Sequence, residues 1–391
     1  MEFRLTEEQK MVQETIRQFV KEELIPLEDE VLKNEREGGR PSLPPEKVKE
    51  LQLKAKEMGF WGIDTPEAYG GVDFDLMMLA IVLMELAKTF VPFTFGGSAD
   101  HILYYANEEQ KKRYLIPTIN GEKKSCFAMT ELNDGSHKPN IQMLAVKDGN
   151  EWVLRGEKTW ITDGHEADFV MVIAVTDKEA YEKTGRDGVT CFIVDREMGW
   201  TSKIVPTMRE GNPTSLVFDH VRVPEENILG DVHEGYNLGL ESVSFARWIA
   251  SVRAVGAAEH LLQMAIDYSK ERETVSKSMV EHEAMQQMMA NYAGDIEAAK
   301  RSVLNAAFTL DKEGDNKHVA SLVKLFEANM GNYVVDSVLQ IYGDIYTKEL
   351  PMDRWYREAR LWRIYEGTDE NQHTIIARNL VEQQVKIGQY V

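Results

Sequence analysis

Met143-Leu144-Ala145-Val146-Lys147-Asp148-Gly149-Asn150-Glu151-Trp152-Val153-Leu154-Arg155-Gly156-Glu157-Lys158-Thr159-Trp160-Ile161 marks a change of pattern in this chain. Two short runs of strand-forming residues flank the turn signal Asp148-Gly149-Asn150. Runs of the same kind surround the stretch: SCFAMTE at 125–131, DFVMVIAVT at 168–176, GVTCFIVD at 188–195, SKIVPTM at 202–208 and TSLVFDHVRV at 214–223. Strands spaced this way predict a sandwich or barrel and not βαβ units. No GxGxxG follows a strand, so a Rossmann dinucleotide site is not indicated.

On both sides the chain reads as helix. In residues 1–122, Thr6 is a cap for a helix that Pro26 closes. Ser42-Leu43-Pro44-Pro45 opens the next helix, which ends at Gly59. LMMLAIVLMELAKTF at 76–90 is apolar nearly all round and is expected to be buried, and the helix begun by Glu108-Glu109-Gln110 is expected to stop before Pro117. From about Gly230 onward, long segments with an apolar stripe at helical spacing predict a helix bundle. In it, Met285, Met288 and Met289 read as core or interface filler. The expected fold is thus α+β, mainly α: an N-terminal helical domain (1–122), a middle β-barrel or sandwich domain (123–230) and a C-terminal four-helix bundle (231–391).

The 391 residues carry a formal charge of −20, which argues against nucleic acid or an anionic membrane as main partner. Cys126 and Cys191 sit in apolar strand-like runs, with no metal or disulfide spacing, and read as buried thiols in a reducing, cytoplasmic setting. The stretch MEFRLTEEQKMVQ has no apolar core, and no run is long enough to cross a bilayer.

Near the C-terminus lies Arg363-Ile364-Tyr365-Glu366-Gly367-Thr368. Gly367 permits close backbone approach, and Thr368 can cap the helix that follows. Glu366 is then either a solvated residue ahead of a helix or a general base beside a carbonyl. The order of motifs decides between these. CFAMTELNDGSH (126–137), GEKTWITDGHEADFVMVIA (156–174), FDHVRVPEENILG (218–230), the Arg272 segment, QIYGDIYTKELPMDRWYREAR (340–360) and RIYEGT (363–368) occur in one sequence and in that order. Together they resemble the acyl-CoA dehydrogenase family of flavoproteins, over essentially the whole chain.

The resemblance implies FAD as cofactor and α,β-dehydrogenation of an acyl-CoA thioester to the trans-2-enoyl-CoA. Glu366 would take the α-proton, hydride would pass to flavin N5, and electrons would go on to an electron-transfer flavoprotein. By the same resemblance Thr130, Ser136, Trp160 and Thr162 lie at the flavin ring and its surroundings, with Ser136 also near the thioester. Arg272, Gln340, Gly343 and Thr368 lie at the pyrophosphate, some of them reaching a neighbouring subunit's flavin in a homotetramer (a dimer of dimers). Tyr365 lines the acyl pocket, Gly367 belongs to the substrate-binding turn, and no metal is implied. Some family members carry the base on a bundle helix, one residue before an Arg. Here that position is Ala246, followed by Arg247, so the base stays at Glu366 and Arg247 becomes a buried, paired candidate near substrate.

Several positions depart from the family pattern: Val275-Ser276 for Phe-Gly, Glu283 for Gln, Asp344 for a Gly, Leu132 for Pro and His137 for Asp. The first three fall on the adenine–pyrophosphate half of FAD. They keep alternatives open: an oxidase, monooxygenase or lyase on the same scaffold, or a half-active acyl-CoA-binding subunit of a mixed oligomer. LAKTFVPFTFGGSADHILYY contains no Arg, which disfavours a substrate with a second carboxylate, while Asp100 and His101 are candidates for a polar pocket.

Overall fold

The computed structural model describes residues 4–37, 42–97, 100–133, 140–208, 213–275, 277–314, 316–343, 351–382 and 385. Its α-helices are α1 (Glu7–Phe19), α2 (Glu28–Arg36), α3 (Pro45–Glu57), α4 (Leu76–Leu86), α5 (Glu108–Gln110), α6 (Ile116–Ile119), α7 (Lys178–Thr184), α8 (Gly235–Glu271), α9 (Glu283–Glu313), α10 (Lys317–Tyr342), α11 (Met352–Leu361) and α12 (Asp369–Val381). The strands are β1 (Ser125–Ala128), β2 (Leu144–Asp148), β3 (Glu151–Ile161), β4 (Phe169–Val175), β5 (Val189–Asp195), β6 (Thr201–Ile204), β7 (Thr214–Pro224) and β8 (Ile228–Leu229), with a separate hairpin of β9 (Glu273–Thr274) and β10 (Lys277–Ser278). By packing, the chain separates into two units: Met1–Lys33, Phe74–Val91 and Ser244–Val391 in one, Asn34–Asp73 and Pro92–Val243 in the other.

The first unit is helical. α1 packs on α4, α4 on α9, and α10 on α9, α11 and α12. As its composition predicts, α4 is buried from Met78 to Glu85. Its one buried charge, Glu85, is paired with Arg17 of α1 at 3.0 Å and with Lys88 at 2.7 Å. Where α8 crosses α4 the backbones nearly touch: a Cβ on Gly256 would lie 2.2 Å from the Met84 carbonyl oxygen, so only glycine fits there. Thr6 forms the expected capping box with Gln9. Pro26 does not end the helical run outright. α1 passes through a π turn (Val20–Leu24) and a 3-10 turn (Ile25–Leu27) into α2, and Pro26 occupies the first turn of the tighter segment, where a missing N–H costs least.

The second unit is built on one sheet of eight strands in the order β6-β7-β3-β2-β4-β5-β8, with β1 parallel to β4. β4 and β5 are buried almost throughout, which matches their continuous apolar runs. Cys126 and Cys191 are free, buried thiols on β1 and β5, and burial pushes the Cys126 thiol up to about 12. Pro117, expected to lie beyond a helix end, sits in the first turn of α6. The π turn Lys111–Leu115 closes just ahead of it, with Ile116 N–H donating to the Lys111 carbonyl, so no α-helical bond is asked of the proline.

Two irregularities along β3 and β7 decide which side chains reach the surface. Between the pairs Leu154↔Val221 and Gly156↔Phe218, β7 carries one residue more than β3; between Lys158↔Leu216 and Ile161↔Thr214, β3 carries one more than β7. Each bulge contains a left-handed residue, His220 (φ 56°) on β7 and Trp160 (φ 61°) on β3. The second bulge breaks the strict in–out alternation, so that Lys158 and Thr159 are both buried while Trp160 is half exposed.

Candidate functional site

Residues 363–368 form a turn ahead of α12. Ile364 and Tyr365 N–H both donate to the Leu361 carbonyl, continuing α11, and then the chain reverses. Glu366 has φ 56° and Gly367 φ 91°. For glycine this conformation is free. For Glu366 it is a sparsely populated state that costs of the order of 1–3 kcal/mol and persists only when its surroundings hold it. Thr368 caps α12 by accepting from Asn371 N–H, as its position predicts.

What holds the turn is a set of side-chain donors on its carbonyls. Arg247 Nε of α8 donates to the Glu366 carbonyl at 2.9 Å. Gln372 Nε2 of α12 donates to the Glu366 and Gly367 carbonyls at 3.1 and 2.9 Å. Lys324 Nζ of α10 donates to the Gly367 carbonyl at 2.9 Å. Behind them lies Asp369, buried, bonded to Arg363 Nε at 2.6 Å and Asn329 Nδ2 at 3.1 Å, and 3.9 Å from Lys324. Burial and the Arg247 and Arg363 charges lower the Lys324 ammonium to about 8, against the pull of Asp369 and Glu366. Three helices thus fix a two-residue reversal, while Tyr365, Glu366 and Gly367 stay half-buried.

The second unit carries the residues expected near a flavin ring. Trp160 is 50 % exposed, held out of the sheet by its positive φ, between buried Thr159 and Ile161. Thr162 follows at the start of a turn pinned by Thr214 Oγ1 on the Ile161 carbonyl (2.8 Å) and by Arg196 Nη2 on the Gly164 carbonyl (2.7 Å). Thr130 is fixed through its carbonyl, which accepts from Thr159 N–H at 2.9 Å. Beneath it lies a buried ion pair that the sequence reading missed. Lys158 Nζ is 2.7 Å from Glu131 Oε1 and 2.9 Å from the Met129 carbonyl. Glu131 also accepts from Gln142 N–H (2.7 Å) and Met143 N–H (3.1 Å). The Thr130 segment is therefore tied to β3 directly below Trp160. Ser136 lies outside the described residues, as do Ser276 and Asp344.

Arg272, Gln340 and Gly343 lie where α8 and α10 end. Tyr268 and Tyr342 stack there at 4.4 Å, and Arg272 N–H closes on the Tyr268 carbonyl. Gln340 is exposed, and Gly343 takes φ 61° as the residue after α10. The Arg272 side chain is exposed and makes no ion pair among the described residues. Val275, in place of an aromatic, is 90 % exposed with φ 50°. Glu283 is exposed at the start of α9 and accepts from Gln287 Nε2. Ala246 precedes Arg247 on α8 and offers no second carboxylate.

These halves match one family in full. The family models of the acyl-CoA dehydrogenase N-terminal, middle and C-terminal domains match residues 6–122, 126–221 and 233–381. The chain is 32 % identical over 388 residues to the short-chain-specific acyl-CoA dehydrogenase of Clostridium acetobutylicum, covering 96 % of this chain and 99 % of that protein. It belongs to the acyl-CoA dehydrogenase family. The family's other relatives include a 3-(aryl)acrylate reductase of Clostridium sporogenes, also 32 % identical, with 96 % of this chain and 99 % of that one covered. A caffeyl-CoA reductase–Etf complex subunit of Acetobacterium woodii is 31 % identical at the same coverage. Among solved structures, butyryl-CoA dehydrogenase of Megasphaera elsdenii superposes with a TM-score of 0.86 at 28 % identity, over 97 % of this chain and all of that one. The chain is accordingly an oxidoreductase of the acyl-CoA dehydrogenase family, a family that depends on FAD.

The residues present fit that cofactor. A half-exposed indole, set out from the sheet by a bulge, is a stacking face for a planar ring. Beside it the Thr130 and Thr162 hydroxyls make no hydrogen bond among the described residues and are available to ring heteroatoms. In the first unit, Arg272 supplies a cation with a planar fork of donors, suited to pyrophosphate. The loss of the aromatic at Val275 removes packing there but leaves that charge in place.

Proposed function

We propose that this enzyme interconverts an acyl-CoA thioester and its trans-2-enoyl-CoA, with Glu366 as the base that removes the α-proton. The observation that carries the reading is the Glu366 turn: a carboxylate-bearing residue held in a left-handed conformation by donors from three helices. Such strain is kept where a side chain must point in one direction. The carboxylate takes the α-proton, and the Glu366 backbone N–H and the adjoining Gly367 turn bind the thioester carbonyl, stabilising the enolate as it develops. Tyr365 lines the acyl chain and excludes water. FAD, when bound, supplies the acceptor for the β-hydrogen and its electron pair. Thr130, Trp160, Thr162 and Ser136 would hold its ring side; Arg272, Gln340, Gly343 and Thr368 would hold its phosphate side.

An electron-transfer flavoprotein is the proposed redox partner, supported by the Etf-associated relative. A homotetramer is proposed because the Arg272 end of α8 would then serve a neighbouring subunit's cofactor. The division 1–122, 123–230 and 231–391 belongs to the same reading. The two free buried thiols support a reducing, cytoplasmic location, and no described helix is long and apolar enough to cross a membrane. The reductase names among the relatives favour a second direction, enoyl reduction, in which Glu366 returns the proton to the α-carbon.

Anaerobic titration of the purified, FAD-loaded protein with a panel of acyl-CoA thioesters tests the reading. Saturated short-chain and 3-arylpropionyl thioesters are expected to bleach the oxidised flavin band. Protein that binds FAD tightly and is bleached by no thioester in the panel, and whose reduced form is reoxidised by no enoyl thioester, overturns it.

A further inference from the structure

Lys324 and Gln372 have no part in the proposed chemistry or cofactor binding, yet both reach the Glu366 turn from buried positions. Lys324 is 1 % exposed, on a helical stretch, Ala320–Met330, whose buried neighbours are mostly apolar, and a lone ammonium there requires a partner. Its Nζ bonds the Gly367 carbonyl at 2.9 Å. Gln372 is fully buried, and its one amide group bridges the carbonyls of Glu366 and Gly367. Gln372, with Arg247, holds the peptide between Glu366 and Gly367, and Lys324, with Gln372, holds the one between Gly367 and Thr368. If these peptides turned, the reversal that sets the direction of the Glu366 side chain would be lost.

We propose that Lys324 and Gln372 are positioning residues that hold the Glu366–Gly367 turn, and with it Glu366, in its left-handed conformation. The inference rests on Glu366 being the base. The charges facing Lys324 are Asp369, Glu366 and Arg363 from the turn and α12, and Arg247 from α8; on its own helix Glu327 lies one turn on, its carboxyl held well above the usual carboxylate range by burial. Asp369, 3.9 Å from Lys324 and itself held by Arg363 and Asn329, keeps the ammonium in place on the Gly367 carbonyl.

The test compares kcat, KM and bound flavin of FAD-loaded K324M, Q372M and E366Q with those of the parent enzyme. In K324M and in Q372M, kcat is expected to fall by about 10- to 100-fold with KM nearly unchanged. Bound flavin absorbance is expected to match the parent in both. K324M and Q372M both within about twofold of parental kcat overturn the proposal. Should K324M fail to fold, Q372M decides the positioning claim alone, and parental turnover in it overturns that claim. E366Q separates the two levels: an inactive E366Q beside fully active K324M and Q372M rejects only the clamp, whereas an active E366Q rejects the base itself.

Discussion

Replacing Glu366 by Gln is expected to lower turnover by about 10^2- to 10^4-fold, the range that a positioned proton acceptor contributes, while FAD stays bound and the fold stays intact. Gln keeps the size and the backbone preference of Glu, so Arg247, Gln372 and Lys324 still find their carbonyl partners. Only the proton acceptor is lost. Loss of kcat with little change in acyl-CoA affinity is the signature of an interaction made in the transition state. Ala246 cannot substitute, since the alternative base position on α8 carries no acid. Stopped-flow reduction of the bound flavin measures the step directly. Reduction of E366Q at the parental rate would place the proton acceptor elsewhere.

The second large effect concerns the flavin-side unit. Replacing Lys158 by Met is expected to cost about 3–5 kcal/mol of stability, because it leaves Glu131 as a buried charge without its cation. Lys158 is wholly inaccessible and Glu131 nearly so. Two backbone N–H bonds, from Gln142 and Met143, remain on Glu131 and place the cost toward the lower end of that range. The same change frees the Met129 carbonyl and loosens the segment bearing Thr130, so weaker FAD retention accompanies it. Denaturant unfolding of K158M beside K147M gives the comparison. Lys147 pairs with Glu225 at the surface, and its loss is expected to cost less than about 1 kcal/mol. Equal effects at the two positions would show that the buried pair carries no special role.

Much of this was legible before any coordinates. The turn signal at 148–150 and the apolar runs around it separate β3, β4 and β5 cleanly, since those strands alternate or are apolar throughout. Thr6, Thr368 and the Gly59 helix end follow from local cap chemistry. What escaped the sequence reading depends on partners far along the chain. Glu131 and Lys158 lie 27 residues apart, and Lys324 meets Gly367 across 43. A signal for Lys324 existed: a single lysine in the run HVASLVKLFEANM, which is otherwise rich in apolar residues. Lys158 gave none, because its burial arises from the bulge that also turns Trp160 outward. Pro117 misled because prolines mark α-helix ends only where an i→i−4 bond is required, and a π turn removes that requirement. Arg247 stood out as a cation in an apolar stretch, and it is buried against the Glu366 carbonyl.

The central claim is that the Glu366 carboxylate meets the α-carbon of a bound acyl thioester. A crystal structure of FAD-loaded E366Q with a saturated acyl-CoA measures that distance directly, because the variant holds substrate without consuming it. The account predicts that the amide oxygen of the substituted side chain lies within about 3–3.5 Å of the α-carbon, with the acyl chain between it and the flavin ring. An acyl chain bound with that side chain directed away from the α-carbon, and another acid in its place, would contradict it.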